Sequence, residues 1–253
     1  MVAFKPYILF PLYLYPSPSA WQPLYDQIDK YPSVDFNIIV NPNSGPGVTA
    51  GQVPEQNWID TISKLNSKPN TQLIGYVHTL WGTRNATEVK NEISAYASWS
   101  TYKKANLSID GIFFDEAPAA NKTDLISYMK DVTAHARTAL KSVTTKQRMV
   151  FNPGCAVGKE YYQLADTIVG FEDYYKQYKN DVASFPINTV KAGTKFKTAF
   201  MINGFSGTAA DQKSIVTKMA NNNITGVYIS TQSAYDKFSR FWPQLVAQVN
   251  GIK

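Results

Sequence analysis

Eight short apolar runs, each followed by a stretch with the period of an amphipathic helix, recur along all 253 residues. That repeat constrains the fold more than any other feature of the chain. Strands are expected at Tyr7–Tyr15, Phe36–Val40, Gln72–His78, Gly111–Asp115, Arg148–Phe151, Thr167–Phe171, Lys197–Ile202 and Gly226–Ser230. Helices are expected at Pro54–Leu65, Ala86–Lys104, Thr123–Lys141, Ala209–Asn221 and Ala234–Val249, with shorter or irregular connections near Lys159–Ala165 and Tyr175–Phe185. Alternation of this kind, with no linker-like stretch, builds a parallel sheet, and ~250 residues is the usual length of a closed one. The structural alternative, an open doubly wound sheet, usually carries a glycine-rich phosphate loop after its first strand. Here Tyr13-Leu14-Tyr15-Pro16-Ser17-Pro18 stands in that place and cannot cradle a phosphate on backbone N–H groups. The expected fold is α/β, a single (β/α)8 TIM barrel domain over residues 1–253.

Charge and cysteine content narrow the function. The chain carries a net charge of +6, but its Lys and Arg are scattered, and the densest group is only Lys191, Lys195 and Lys197. A nucleic-acid surface concentrates its cations in a stripe, so no nucleic-acid partner is expected. One cysteine, Cys155, excludes an internal disulfide and any multi-thiolate metal site, and two histidines, His78 and His135, make a His-rich site implausible. No metal and no cofactor are expected. Cys155 reads as a small buried apolar residue, His135 as helix surface, and Tyr161-Tyr162 as packing.

With no run of ~18 apolar residues, nothing in the sequence can span a bilayer as a helix. The opening MVAFKPYILFPLYLYP looks briefly like a signal peptide, yet Pro6, Pro11 and Pro16 break it and no small-residue cleavage site follows. It reads as the first strand, and a targeting or anchor segment supplied by the gene is expected to have been cut away ahead of Met1. Glycosylation sequons start at Asn85, Asn106, Asn121 and Asn223. With 18 Asn and 38 Ser plus Thr, chance alone supplies roughly three. Their count therefore says little, and their placement in loops or at helix edges says more.

In a barrel of this class the active site lies at the C-terminal ends of the strands. Those ends carry Tyr13 and Tyr15, Asn41, Tyr76 with His78 and Trp81, Asp115-Glu116, Asn152, Glu172-Asp173-Tyr174, Asn203 and Gln232. Aromatic planes, amides and carboxylates on one face suit a sugar, which offers apolar C–H faces and a rim of hydroxyls. Two acids directly after the buried run Gly111-Ile112-Phe113-Phe114 are costly unless paired, hydrogen-bonded or used. A helix cap or surface ion pair is the bland alternative for Asp115-Glu116, and likewise for Glu172. Together they match what glycosidases need, two carboxyls flanking one bond. Asp115 and Glu116 are neighbours and would point to opposite faces of a regular strand, so a bend must end the strand if both serve one site. His78 reads as a donor to a sugar hydroxyl. Asn41-Pro42-Asn43-Ser44-Gly45-Pro46-Gly47 is turn chemistry that also stands where it would rim the cleft.

At these residues the sequence resembles the spherulin-4 family, whose characterised fungal members form glycoside hydrolase family 135. The resemblance covers essentially the whole chain and lies in Phe10-Pro11-Leu12-Tyr13 with Tyr15-Pro16, Asn41 to Gly47, Gly75-Tyr76-Val77-His78-Thr79 and Gly111 to Glu116. A looser one extends to a second family of barrel polygalactosaminidases. It implies an endo-acting hydrolase of galactosaminogalactan, a fungal exopolysaccharide of α-1,4-linked galactose and N-acetylgalactosamine, cutting in the N-acetylgalactosamine runs. It also implies catalysis by Asp115, Glu116 and Glu172, and a secreted or membrane-anchored protein. The expected route is a retaining double displacement with Asp115 as nucleophile, Glu172 as acid then base, and Glu116 as an orienting group. The remaining substrate-binding set is Tyr13, Asn41, Tyr76, His78, Trp81, Asn152, Asp173, Tyr174, Asn203 and Gln232. A polysaccharide substrate, a monomer and no stable protein partner complete the expectation. The rival reading is a catalytically inactive carbohydrate-binding or spore-coat protein on the same barrel.

Overall fold

The computed structural model describes residues 5–17, 19–180 and 186–252. Its eight strands, β1 (Tyr7–Leu12), β2 (Phe36–Val40), β3 (Thr71–His78), β4 (Gly111–Asp115), β5 (Arg148–Phe151), β6 (Thr167–Tyr174), β7 (Thr198–Asn203) and β8 (Gly226–Ile229), follow chain order around a closed, all-parallel barrel. The first and last strands meet through Tyr7↔Gly226 and Ile8↔Val227, which closes the circle. The (β/α)8 expectation holds.

Helices α1 (Gln22–Lys30), α2 (Gln56–Asn66), α3 (Ala86–Ser98), α4 (Thr123–Leu140), α5 (Lys159–Leu164), α6 (Tyr175–Asn180), α7 (Pro186–Thr189), α8 (Ala209–Asn221) and α9 (Trp242–Asn250) pack outside it. Each long helix buries one stripe, for example Trp58, Ile59, Ile62 and Leu65 of α2, against the outward side chains of the strands. The irregular connection expected near Lys159 is the short helix α5. The one near Tyr175 begins as α6, and its residues 181–185 lie outside the described residues.

Three boundaries differ from the sequence reading, each for a local reason. β1 stops at Leu12 rather than Tyr15, because the next ladder bond would join Asn43 N to the Leu14 carbonyl, and both are engaged elsewhere: Asn43 N donates to the Gly45 carbonyl at 3.2 Å and the Leu14 carbonyl accepts from Trp21 Nε1 at 2.9 Å. The last helix starts at Trp242 rather than Ala234. Before it, residues 231–241 form a loop held by side chains: Ser239 Oγ accepts from Thr231 N at 3.1 Å and from Phe241 N at 3.2 Å, and Thr231 Oγ1 accepts from Arg240 N at 3.1 Å. The third helix ends at Ser98 and tightens into a 3-10 turn, Trp99–Thr101.

The sixth strand is longer than its apolar run and contains a β-bulge. Val169 pairs with Ala199 and Glu172 pairs with Met201, with the register shifting between Val169 and Phe171. Ala199 and Met201 are two apart and share a face of β7, whereas Val169 and Glu172 are three apart on β6. Only the extra residue of the bulge brings Glu172 onto the face that Val169 occupies, which is the use to which bulges beside active sites are put. A Cβ at Gly170 would come within 2.7 Å of Thr198 Cγ2, so the bulge needs glycine there.

Outside the mouth, two side chains differ from their sequence reading. His135, expected as helix surface, is half-buried and joins α4 to α3 through Ser94 Oγ at 2.9 Å. Cys155, expected to be buried, is exposed, because the β5–α5 loop turns outward at Gly154, whose φ is +68°. Tyr161 and Tyr162 do pack in the core, as expected. The sequon asparagines Asn85 and Asn106 lie at exposed loop or helix-edge positions, where their side chains accept from Thr87 N and Ser108 N.

Candidate active site

Strand alternation carries Tyr76, Asp115, Asn152 and Asn203 to the inner face at the C-terminal mouth, the β6 bulge brings Glu172 there, and hydrogen bonds through the Tyr235 hydroxyl join them into one chain. Asp115 Oδ2 accepts from the Tyr76 hydroxyl at 2.7 Å, and its Oδ1 accepts from Asn152 Nδ2 at 2.7 Å. The same Asn152 Nδ2 donates to Glu172 Oε2. Glu172 Oε1 in turn accepts from the Tyr235 hydroxyl, and Asn203 Nδ2 donates to the Tyr235 oxygen at 3.1 Å. One amide NH2 thus bridges both carboxyls. The near oxygens of the two carboxyls are therefore no more than two hydrogen-bond lengths, ~5.5 Å, apart.

Asn152 is buried and its amide orientation is fixed, since its Oδ1 accepts from Gly154 N at 3.1 Å. Tyr13 stands between the two phenols, edge-on to Tyr76 at 5.6 Å and to Tyr235 at 5.4 Å. Burial raises the pKa of all three tyrosines, and nearby carboxylates raise them further: Asp115 and Glu172 for Tyr13 and Tyr76, and Glu172 for Tyr235. All three phenols are therefore neutral, and their O–H groups are donors. Glu172 is also raised, first by burial and then by Asp115, against the opposing pull of its Tyr235 and Asn152 hydrogen bonds. A carboxyl so placed keeps its proton to a higher pH than an ordinary glutamate.

The bend required after Asp115 is present. Glu116 has φ +50°, a left-handed conformation that costs a non-glycine residue on the order of 1–2 kcal/mol. Its carbonyl accepts from Trp81 N at 2.7 Å and Thr79 Oγ1 at 2.8 Å, while the Asp115 carbonyl accepts from Thr79 N at 2.9 Å. The β3–α3 loop thereby clamps the end of β4. The Glu116 carboxyl turns toward His78, 3.9 Å from its Nδ1, and stays apart from the chain of bonds that holds Asp115 and Glu172.

That loop is itself strained, with Leu80 at φ +49° and Trp81 at φ +52°, and it displays Trp81 at 57% exposure. Arg84 anchors it, donating to the His78 carbonyl at 3.1 Å while gripping Glu92 of α3. Across the mouth, at the end of β6, Tyr174 is 50% exposed.

The other expected residues divide. Asn41 lies at the end of β2, where its Oδ1 accepts from Gly45 N at 2.9 Å and so braces its own loop. Asn43, residues 45–50 and Gln52 of that loop line a groove of about 690 Å³ with Asn91, Glu92 and Ser94 of α3. Gln232 braces the loop after β8, donating to the Phe238 carbonyl at 3.3 Å. Asp173, expected beside the acids, pairs with Ile202 on the opposite face of β6, is exposed, and accepts from Tyr174 N at 2.6 Å. The residue missed was Tyr235, hidden in a stretch read as helix. Ser230-Thr231-Gln232-Ser233 directly after β8, with Pro243 behind it, was the available signal for a loop rather than a helix.

A family model described as spherulation-specific family 4 matches residues 7–249. Spherulin-4 of Physarum polycephalum is 31% identical over 254 residues, covering 97% of this chain and 70% of that protein. The crystal structure of Aspergillus clavatus Sph3 in complex with GalNAc superposes with a TM-score of 0.89 at 31% identity, over 99% of this chain and 100% of that one. A chitinase from Rhizomucor miehei, at 9% identity and a TM-score of 0.57 over 98% of this chain and 100% of its own, shares the fold.

Proposed function

The chain belongs to the spherulin-4 family, and from that premise we propose that it is an endo-acting glycoside hydrolase of galactosaminogalactan, cleaving α-1,4-linked N-acetylgalactosamine runs. The observation that carries the reading is the single Asn152 amide group bound to both Asp115 and Glu172. Two carboxyls held by one amide NH2 suit the ~5–5.5 Å spacing of a retaining pair better than the ~6.5–9.5 Å that an inverting pair uses to admit water. Asp115, hydrogen-bonded on both oxygens, attacks the anomeric carbon as Glu172 gives its proton to the departing glycosidic oxygen. The β-linked ester on Asp115 is then opened by a water that returns its proton to Glu172, and the product regains the α configuration. The substrate's own acetamido group cannot replace Asp115, because in an α-linked N-acetylgalactosamine it lies cis to the leaving group. Glu116, beside His78, orients the sugar.

GalNAc bound to the Aspergillus clavatus relative supports an acetamido sugar as the substrate. So does Asn203, whose buried Oδ1 has no partner among the described residues and would accept an acetamido N–H, whereas every polar atom of Asn152 is already engaged. Trp81 and Tyr174 provide stacking surface on either side of the mouth, as a polymer cut internally requires.

Incubation with purified galactosaminogalactan is expected to release reducing ends by internal cleavage. Rates on defined oligomers should rise with acetylation and change little with moderate salt. If fully deacetylated oligomers are cut faster and salt abolishes that advantage, charge rather than the acetamido group governs recognition. Glycan binding with no cleavage would mark a carbohydrate-binding protein instead.

A further inference from the structure

We infer that the Tyr235 hydroxyl is a positioning group for Glu172, the reversible partner that lets this carboxyl change between proton donor and proton acceptor. The inference deepens the proposed hydrolysis and rests on it. Glu172 Oε2 is bound by an amide held from two further directions. The second Asn152 N–H goes to Asp115 Oδ1 at 2.7 Å, and the Asn152 Oδ1 receives Gly154 N at 3.1 Å. An NH2 group so fixed only donates, so Oε2 has no acceptor to face with a proton of its own.

Glu172 Oε1 faces a hydroxyl instead. A phenol both donates and accepts: it donates to the ionised carboxylate and, by rotating about its C–O bond, accepts from the neutral acid or yields to substrate. Asn203 Nδ2, donating to the Tyr235 oxygen at 3.1 Å, polarises that O–H and strengthens it as a donor to the ionised form. The proton that Glu172 delivers is therefore carried on Oε1, on the Tyr235 side. The phenol itself does not leave its neutral form, since burial and the neighbouring Glu172 hold its pKa well above 10.0.

Other groups set the background against which Tyr235 acts. Asp115 acts on Glu172 from β4, Tyr13 stands near it from the end of β1 and Tyr76 from β3, Asp173 adds its charge from the opposite face of β6, and Glu116 stands beside His78. The carboxylates favour the neutral acid, and Tyr235 with Asn152 favours the charged one. Removing the Tyr235 hydroxyl tips that balance toward the neutral form.

The test is Tyr235→Phe, which keeps the ring that packs against Tyr13 at 5.4 Å and Tyr228 at 5.9 Å. Its thermal midpoint should match the wild type within a few degrees. Loss of a donor to the charged form should move the basic limb of the kcat/KM profile up by about one pH unit, leave the acidic limb in place, and lower kcat by about 10–100-fold. Carbon-13 NMR of glutamate-labelled protein, titrated without substrate, should show Glu172 shifted upward by the same amount. Asn203→Ala should shift it in the same direction by less. The titration needs no turnover, so it reads this linkage even in a chain that cuts no glycan. A Tyr235→Phe protein whose Glu172 titrates at or below the wild-type value overturns the inference, and so does a basic limb that stays in place while the rate falls.

Discussion

Asp115→Asn is expected to lower turnover on galactosaminogalactan by about 10³–10⁵-fold while leaving the protein folded, the loss typical of a missing nucleophile. The substitution is nearly isosteric, and its amide fits the existing bonds. The new carbonyl accepts from Asn152 Nδ2 in place of Asp115 Oδ1, and the new NH2 donates to the Tyr76 oxygen, reversing the present 2.7 Å bond. Stability therefore stays near the wild type, and the lost rate reports chemistry alone. Glu116→Gln is the control. Its carboxyl is 3.9 Å from His78 Nδ1 and takes no part in the Asn152 bridge, so its loss should cost on the order of 10-fold. Wild-type turnover in the Asp115 variant, with a collapse in the Glu116 variant, would hand the nucleophile's role to Glu116.

Glu172→Gln should lose about 10²–10⁴-fold on the polysaccharide, where the departing sugar hydroxyl needs a proton. The same variant should be far less impaired in the first step on an aryl α-N-acetylgalactosaminide with an acidic phenol, which leaves unprotonated. Its turnover on that substrate should recover on addition of azide, which needs no general base. The product should be the α-glycosyl azide, because azide opens the β-linked ester on Asp115 with inversion. Burial, which raises the Glu172 pKa, favours the protonated form that the proposed acid role needs. Equal impairment on both substrates, without rescue, would mean that Glu172 holds the sugar and transfers no proton.

The barrel was legible because it depends on periodicity, and eight apolar runs in 253 residues leave few alternatives. Asp115 was legible because an acid pair at the end of the buried strand Gly111–Asp115 is costly without a use. Glu172 could be found, but its orientation could not. Strict alternation from Val169 would place Phe171 inside and Glu172 outside, and only the bulge at Gly170 reverses them. A glycine in a strand is a weak signal for such a bulge, since its meaning lies in the approach of Thr198 from a strand 28 residues later. The same limit hid the outward turn of Asp173. Tyr235 escaped because Ala234–Val249 carries enough helical pattern to absorb it, while the Ser239 and Thr231 hydrogen bonds that keep its first part open join residues eight apart. Cys155 was misread because a short apolar residue after a strand is usually buried, and here Gly154, in the left-handed conformation that glycine adopts freely, turns the loop out. Residue types at strand ends predict who gathers at the mouth. The bonds among them depend on register, bulges and loop closure, which are long-range.

We propose that Asp115 and Glu172, spanned by one Asn152 amide, act as a retaining pair. Proton NMR of the first turnovers on an acetylated galactosaminogalactan fragment tests it most directly. The new reducing end should appear first as the α-anomer and drift to its equilibrium mixture by mutarotation. A reducing end that appears first as the β-anomer would contradict the claim, because a single displacement by water inverts the anomeric carbon.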